Sequence, residues 1–66
     1  MSRRTRNDER KLIEDYQARV AREAKNLALD SRAAENQGND RLSELLAEAA
    51  YGFAREAEHI RLQLRR

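Results

Sequence analysis

Glu56 and His59 come nearest to a chemical constellation in this chain. Glu56-Ala57-Glu58-His59 reads Glu-x-x-His, and on a helix that spacing turns both ligands to one face. In carboxylate-bridged four-helix bundles the same spacing aims a glutamate and a histidine at a metal pair. Such a site needs about four carboxylates and two histidines. Glu23 is the acid that a folded-back chain would bring near Glu56, and a second copy would double the set. Against this, Glu56 and His59 fall at the edge of the apolar stripe, with no supporting cluster beside them. The segment therefore reads as a solvated helix face, and neither a metal nor a cofactor is assigned. Counted outward from a turn centred between residues 37 and 38, His59 lies opposite Tyr16, so a Tyr16–His59 hydrogen bond is expected. No cysteine, glycine-rich phosphate loop or nucleophile elbow is present. Ser31 reads as a small seam residue and Ser43 as a first-turn residue of a helix. A non-enzymatic protein is expected.

The second feature is arginine. Of fourteen basic residues, twelve are arginine, whose planar fork makes bidentate contacts that lysine cannot. Arg3, Arg4, Arg6, Arg10 and Lys11 stand against Asp8 and Glu9 in the first eleven residues, a net of +3. Arg61, Arg65 and Arg66 give the last eight another +3, whereas residues 12–58 sum to −4. If the two ends meet, they form one basic end of +6, suited to nucleic-acid phosphate or an acidic protein surface. At the end of a second helix the arginines would also complement its dipole. At the start of a first helix they run against it. Aromatic side chains for stacking on bases are missing from this end, Tyr16 apart.

These residues need elements to position them. The chain has no proline and two glycines, Gly38 and Gly52. Asn36-Gln37-Gly38-Asn39-Asp40 is the one strong turn signal, with Gly38 suited to close a helix and Asn39 or Asp40 to cap the next. A helix is predicted over about 5–36, a turn over 37–39 and a helix over about 40–64. Thr5-Arg6-Asn7-Asp8 fits a capping box for the first helix, with Asn7 as a second candidate cap. On that helix Ile13, Tyr16, Val20, Ala24, Leu27, Ser31 and Ala34 recur at a mean of 3.5, the heptad period. Its outer face offers pairs such as Asp15–Arg19 and Arg19–Glu23. On the second helix Leu42, Leu45, Leu46, Ala49, Phe53, Ala57, Ile60 and Leu64 form a stronger stripe. Leu29, Tyr51 and Leu62 fall on outer faces.

The fold expected is therefore all-α, a single antiparallel two-helix hairpin over residues 1–66. The stripes of Ile13, Tyr16, Val20 and Leu27 and of Leu42, Leu45, Leu46, Phe53, Ile60 and Leu64 are wider than one partner helix can cover. Sixty-six residues without a disulfide make a small core. Dimerisation into a four-helix bundle follows as an expectation. A mixed or higher oligomer and a lone hairpin are the alternatives. The plan is similar to that of the small plasmid proteins of the Rop type, hairpin dimers that bind RNA; the likeness is one of architecture, and no residue motif carries over. Small free-standing helical chains serve as accessory factors of phages, plasmids and larger assemblies. The leading reading is a small interaction or regulatory protein, homodimeric and with a protein partner. Its alternative is a nucleic-acid-binding regulator using the arginine-rich end. No apolar run approaches the roughly 20 residues of a membrane span and no signal peptide is visible, so a cytoplasmic protein is expected.

Overall fold

A computed structural model shows two α-helices, α1 (Ser2–Asn36) and α2 (Asp40–Leu64). The structure describes residues 2–65, with side chains described from Asp8 onward. The helices run antiparallel. Near the turn, the Ser31 hydroxyl donates to the Ser43 carbonyl at 2.8 Å, and at the far end the Arg10 guanidinium donates to the Leu64 carbonyl at 2.8 Å.

The reversal is built at Gly38, which takes φ +80°, a left-handed conformation that glycine adopts without steric cost. Two bonds close α1: the Asn39 amide donates to the Ala34 carbonyl at 2.9 Å, and the Gly38 amide to the Glu35 carbonyl at 2.9 Å. These are the paired bonds of a Schellman motif, and they satisfy carbonyls that the helix end would otherwise leave open. Asn39 is the cap of α2, its side-chain oxygen accepting from the Leu42 amide at 3.2 Å. Asp40 then sits in the first turn of α2 and Arg61 in the last, both matched to the helix dipole.

The start of α1 differs from expectation. The helix begins at Ser2, so Thr5 is interior rather than a cap, and residues 2–4 continue the helix instead of preceding it. Arginine is a good helix former, and no glycine or proline interrupts this segment. The Thr5 and Asn7 side chains lie outside the described residues. Leu64 stands level with Arg10, so the first turns of α1 extend past the end of α2.

The seam between the helices is made mainly of small residues. Val20, Ala24 and Ala34 of α1 and Ala50, Ala57 and Ile60 of α2 are buried. Leu27, Ser31, Ser43, Leu46 and Leu64 are half-buried around them. One facing helix covers only part of each sequence-based stripe. Ile13, Tyr16, Leu42, Leu45 and Phe53 are exposed, and Ala50 rather than Ala49 faces the partner helix. The reason is geometric. Each stripe spans a wide arc, one facing helix covers only its middle, and small side chains let the helices approach with the large ones displaced to the flanks. Ser43 is also in the seam, its hydroxyl 3.1 Å from that of Ser31.

The product is a thin rod of 55 × 15 × 12 Å. Its radius of gyration is 15.7 Å, where a compact chain of this length has about 11 Å. Its accessible surface is 5888 Å², where a compact monomer of this mass exposes about 4,300 Å².

Candidate functional site

Two features remain once the seam is accounted for: an apolar face on one side of the hairpin and a basic open end. The face is located by one bond. The Tyr16 hydroxyl donates to a Glu56 carboxylate oxygen at 3.2 Å, so these two residues flank the seam on the same side. Helical spacing then assigns their neighbours. On α2, Ala49 and Leu42 lie seven and fourteen residues before Glu56, with Leu45 and Phe53 at the intervening steps. On α1, Glu23 and Asp30 lie seven and fourteen residues after Tyr16, with Arg19 between, and Leu12 lies one turn before it. Five large apolar residues thus share this side: Leu12 (66 % exposed), Tyr16, Leu42, Leu45 (56 % exposed) and Phe53. The α2 part of the face is wholly apolar from Leu42 to Phe53, whereas the α1 part carries Arg19, Glu23 and Asp30.

Gly52 borders this row. A Cβ placed there meets nothing within 4 Å, so no packing inside the hairpin calls for glycine. The remaining exposed apolar residues are scattered. Leu29 and Leu62 stand singly, and Tyr51 lies beneath the Arg55 guanidinium, 5.7 Å from the ring centroid.

The expected Tyr16–His59 hydrogen bond is not formed. Tyr16 bonds Glu56, and His59 Nε2 lies 3.1 Å from the Gln63 amide nitrogen, one turn along its own helix. The antiparallel register sets Tyr16 beside Glu56 rather than His59. The neighbouring carboxylate charge, and then the hydrogen bond to it, raise the Tyr16 pKa above the usual phenol value. Glu56 is thereby turned to Tyr16, and among the described residues no group of three or more His, Asp or Glu side chains gathers to hold a metal.

At the open end, Arg10 joins two groups. Its Nε donates to Glu14 at 3.1 Å and its Nη2 to the Leu64 carbonyl, so a side chain of α1 satisfies the C-terminus of α2. Arg61 forms a two-pronged pair with Glu58. That hydrogen bond, with the charges of Arg61 and Arg65, holds the Glu58 carboxyl below the usual range, and Glu58 in turn raises Arg61. Among the described residues these are the ion pairs within 4 Å, and the Asp15–Arg19 and Arg19–Glu23 pairs do not close. Of the eight expected binding cations, Arg10 and Arg61 therefore have intramolecular partners, and Lys11 and Arg65 share their end of the hairpin. The side chains of Arg3, Arg4 and Arg6, and Arg66 altogether, lie outside the described residues. No sequence signal pointed to Arg10 as a link between the helices; that role follows from register.

Neither helix holds an 18-residue stretch apolar enough to cross a membrane among the described residues. The architecture defines the chain as an all-α helical hairpin. Set against known proteins, it matches no family model, no curated protein and no solved structure.

Proposed function

We propose that this hairpin is a small non-enzymatic interaction or regulatory protein that works as a homodimer, two copies covering each other's apolar face. The observation that carries the reading is the exposure of Leu12, Tyr16, Leu42, Leu45 and Phe53 on one side, while small residues fill the seam. The face runs about 30 Å along the rod and is two helices wide, roughly 600 Å². That approaches the ~800 Å² per partner of a specific interface. The surface excess over a compact monomer points the same way. A four-helix bundle results, and its remaining surface, including the basic end, is what a further partner would read.

Sedimentation velocity over a wide concentration range tests this. A dimer is expected, and Leu45→Glu is expected to weaken it at least tenfold while circular dichroism still reports helix. A single 7.7 kDa species at every concentration would sink the proposal.

The nucleic-acid alternative draws on Arg3, Arg4, Arg6, Lys11, Arg65 and Arg66 together with Arg10 and Arg61. Its support is the Arg10–Leu64 bond, which brings the described basic residues Arg10, Lys11, Arg61 and Arg65 to one end of the rod. Binding to a duplex or single strand that falls steeply with added salt is its signature. Affinity that ignores salt would remove it.

A further inference from the structure

The apolar face also carries information about how a second copy sits on it. We infer that the two hairpins pack face to face and antiparallel, about a two-fold axis at the level of Ala49, with α2 against the partner's α2. This rests on the homodimer reading and specifies its geometry.

Two face-to-face two-fold arrangements exist. With the axis along the rod, the copies are parallel and α2 lies on the partner's α1. With the axis across the rod, they are antiparallel and each helix lies on its own counterpart. The contents of the face separate these cases. The α2 row from Leu42 to Phe53 is apolar, and the matching α1 row holds Arg19, Glu23 and Asp30. The parallel form would press Leu45 and Phe53 onto those charges and strip them of water, at substantial cost. The antiparallel form puts Leu45, Ala49 and Phe53 on apolar counterparts and leaves Leu42 level with the partner's Glu56 at the end of the contact.

The register follows from the spacing. Leu45 and Phe53 lie four residues either side of Ala49, so an axis at Ala49 sets Leu45 on the partner's Phe53, twice. Ala49, exposed in the single hairpin, is small enough for the two α2 helices to approach at the crossing. The α1 row gives an independent check. The Ser31–Ser43 and Arg10–Leu64 bonds set Ala49 level with Lys25. An axis at that level brings Arg19 opposite the partner's Asp30, again twice, with the two Glu23 carboxylates also near the axis; among the described residues neither Arg19 nor Asp30 has an ion-pair partner within 4 Å in the single hairpin. The longer-range charge agrees. Residues 26–49, the turn half, carry a net −3, and the remaining residues of the open half carry +5. Antiparallel packing sets unlike halves together, and parallel packing sets like on like.

The chain has no cysteine, so single introduced thiols report cleanly. Ala49→Cys is expected to oxidise to a disulfide-linked dimer, because the two 49 positions meet at the axis. Leu42→Cys, about 20 Å from its counterpart in this register, is expected to stay unlinked, as is Tyr51→Cys on the outer face. A charge swap provides the second measurement. Arg19→Asp or Asp30→Arg alone is expected to raise the dimer dissociation constant about fivefold, and the double variant to restore it. Sedimentation of each variant accompanies both tests. A dimer in which Ala49→Cys does not link, or links no faster than Tyr51→Cys, overturns the antiparallel geometry and leaves the homodimer standing. Failure of the double variant to restore affinity overturns the register. A chain that stays monomeric overturns the geometry and the homodimer together.

Discussion

Arg10 shows how one side chain can serve the fold while belonging to a charged end. It reaches from α1 to the Leu64 carbonyl at the end of α2 and is held there by Glu14. Arg10→Gln is expected to loosen the final turn of α2, seen as several-fold faster amide hydrogen exchange over residues 61–64, with little change in the turn at Gly38. Protection unchanged at that turn of α2 would mean the bond is idle. Glu58 and Tyr16 give opposite pH signatures. The folded pKa of Glu58 is depressed, so its contribution is present above the unfolded carboxyl value and is lost as pH falls through the folded one. The folded pKa of Tyr16 is raised, so its contribution is present below the unfolded phenol value and is lost as pH rises through the folded one. Both groups are exposed, and the effects are correspondingly small. In thermal melts, Glu58→Gln should flatten the acid limb of the stability profile and Tyr16→Phe the alkaline limb. An unchanged limb in either variant contradicts the assignment for that residue.

At the level of the helices, the turn is the best-determined element and the one most open to single substitutions. Gly38→Ala places a Cβ at φ +80° and should cost about 1 kcal/mol; Asn39→Ala removes the α2 cap and should cost a similar amount. Gly52→Ala has the opposite sign. It adds helix propensity where nothing lies within 4 Å, so dilute protein should gain about 1 kcal/mol. Urea titration of the three variants checks these values, and a destabilised Gly52→Ala would show that something does pack there. Helix boundaries at the turn were legible in the sequence because Gly38 stands alone among strong helix formers, with Asn39 beside it. The start of α1 was misjudged because a four-residue capping pattern arises easily by chance, and nothing in an arginine-rich segment stops a helix. The seam was only half legible. Periodicity locates an apolar arc, but it does not say which part of a wide arc the neighbouring helix covers. That is decided by how closely the backbones approach, hence by Ala24, Ala34, Ala50 and Ala57. Ser43 joins the seam for the same reason, and Tyr16 meets Glu56 rather than His59 because the register differs by a few residues from a symmetric count about the turn.

The whole molecule is a rod with too little interior for its length. Among the described residues the buried ones are four alanines with Val20 and Ile60, and larger side chains of the same stripes remain in water. Burial of a leucine or phenylalanine contributes roughly 1.5–3 kcal/mol, far more than an alanine can. Much of the apolar stabilisation open to this sequence is therefore realised only when the face from Leu42 to Phe53 is covered. If a second copy covers it, folding and association are one equilibrium, and stability depends on protein concentration. Each tenfold rise in concentration should then add about 1.4 kcal/mol to the stability per dimer, and thermal midpoints should climb accordingly. Leu45→Glu removes an apolar anchor from the face without touching the seam, since Leu45 makes no part of the buried set. Its melts should come earlier and lose their concentration dependence. Melts of the unsubstituted chain that superimpose across a hundredfold dilution would show that the hairpin is stable alone. The stabilising energy would then have to lie within the small-residue seam and the Gly38 turn.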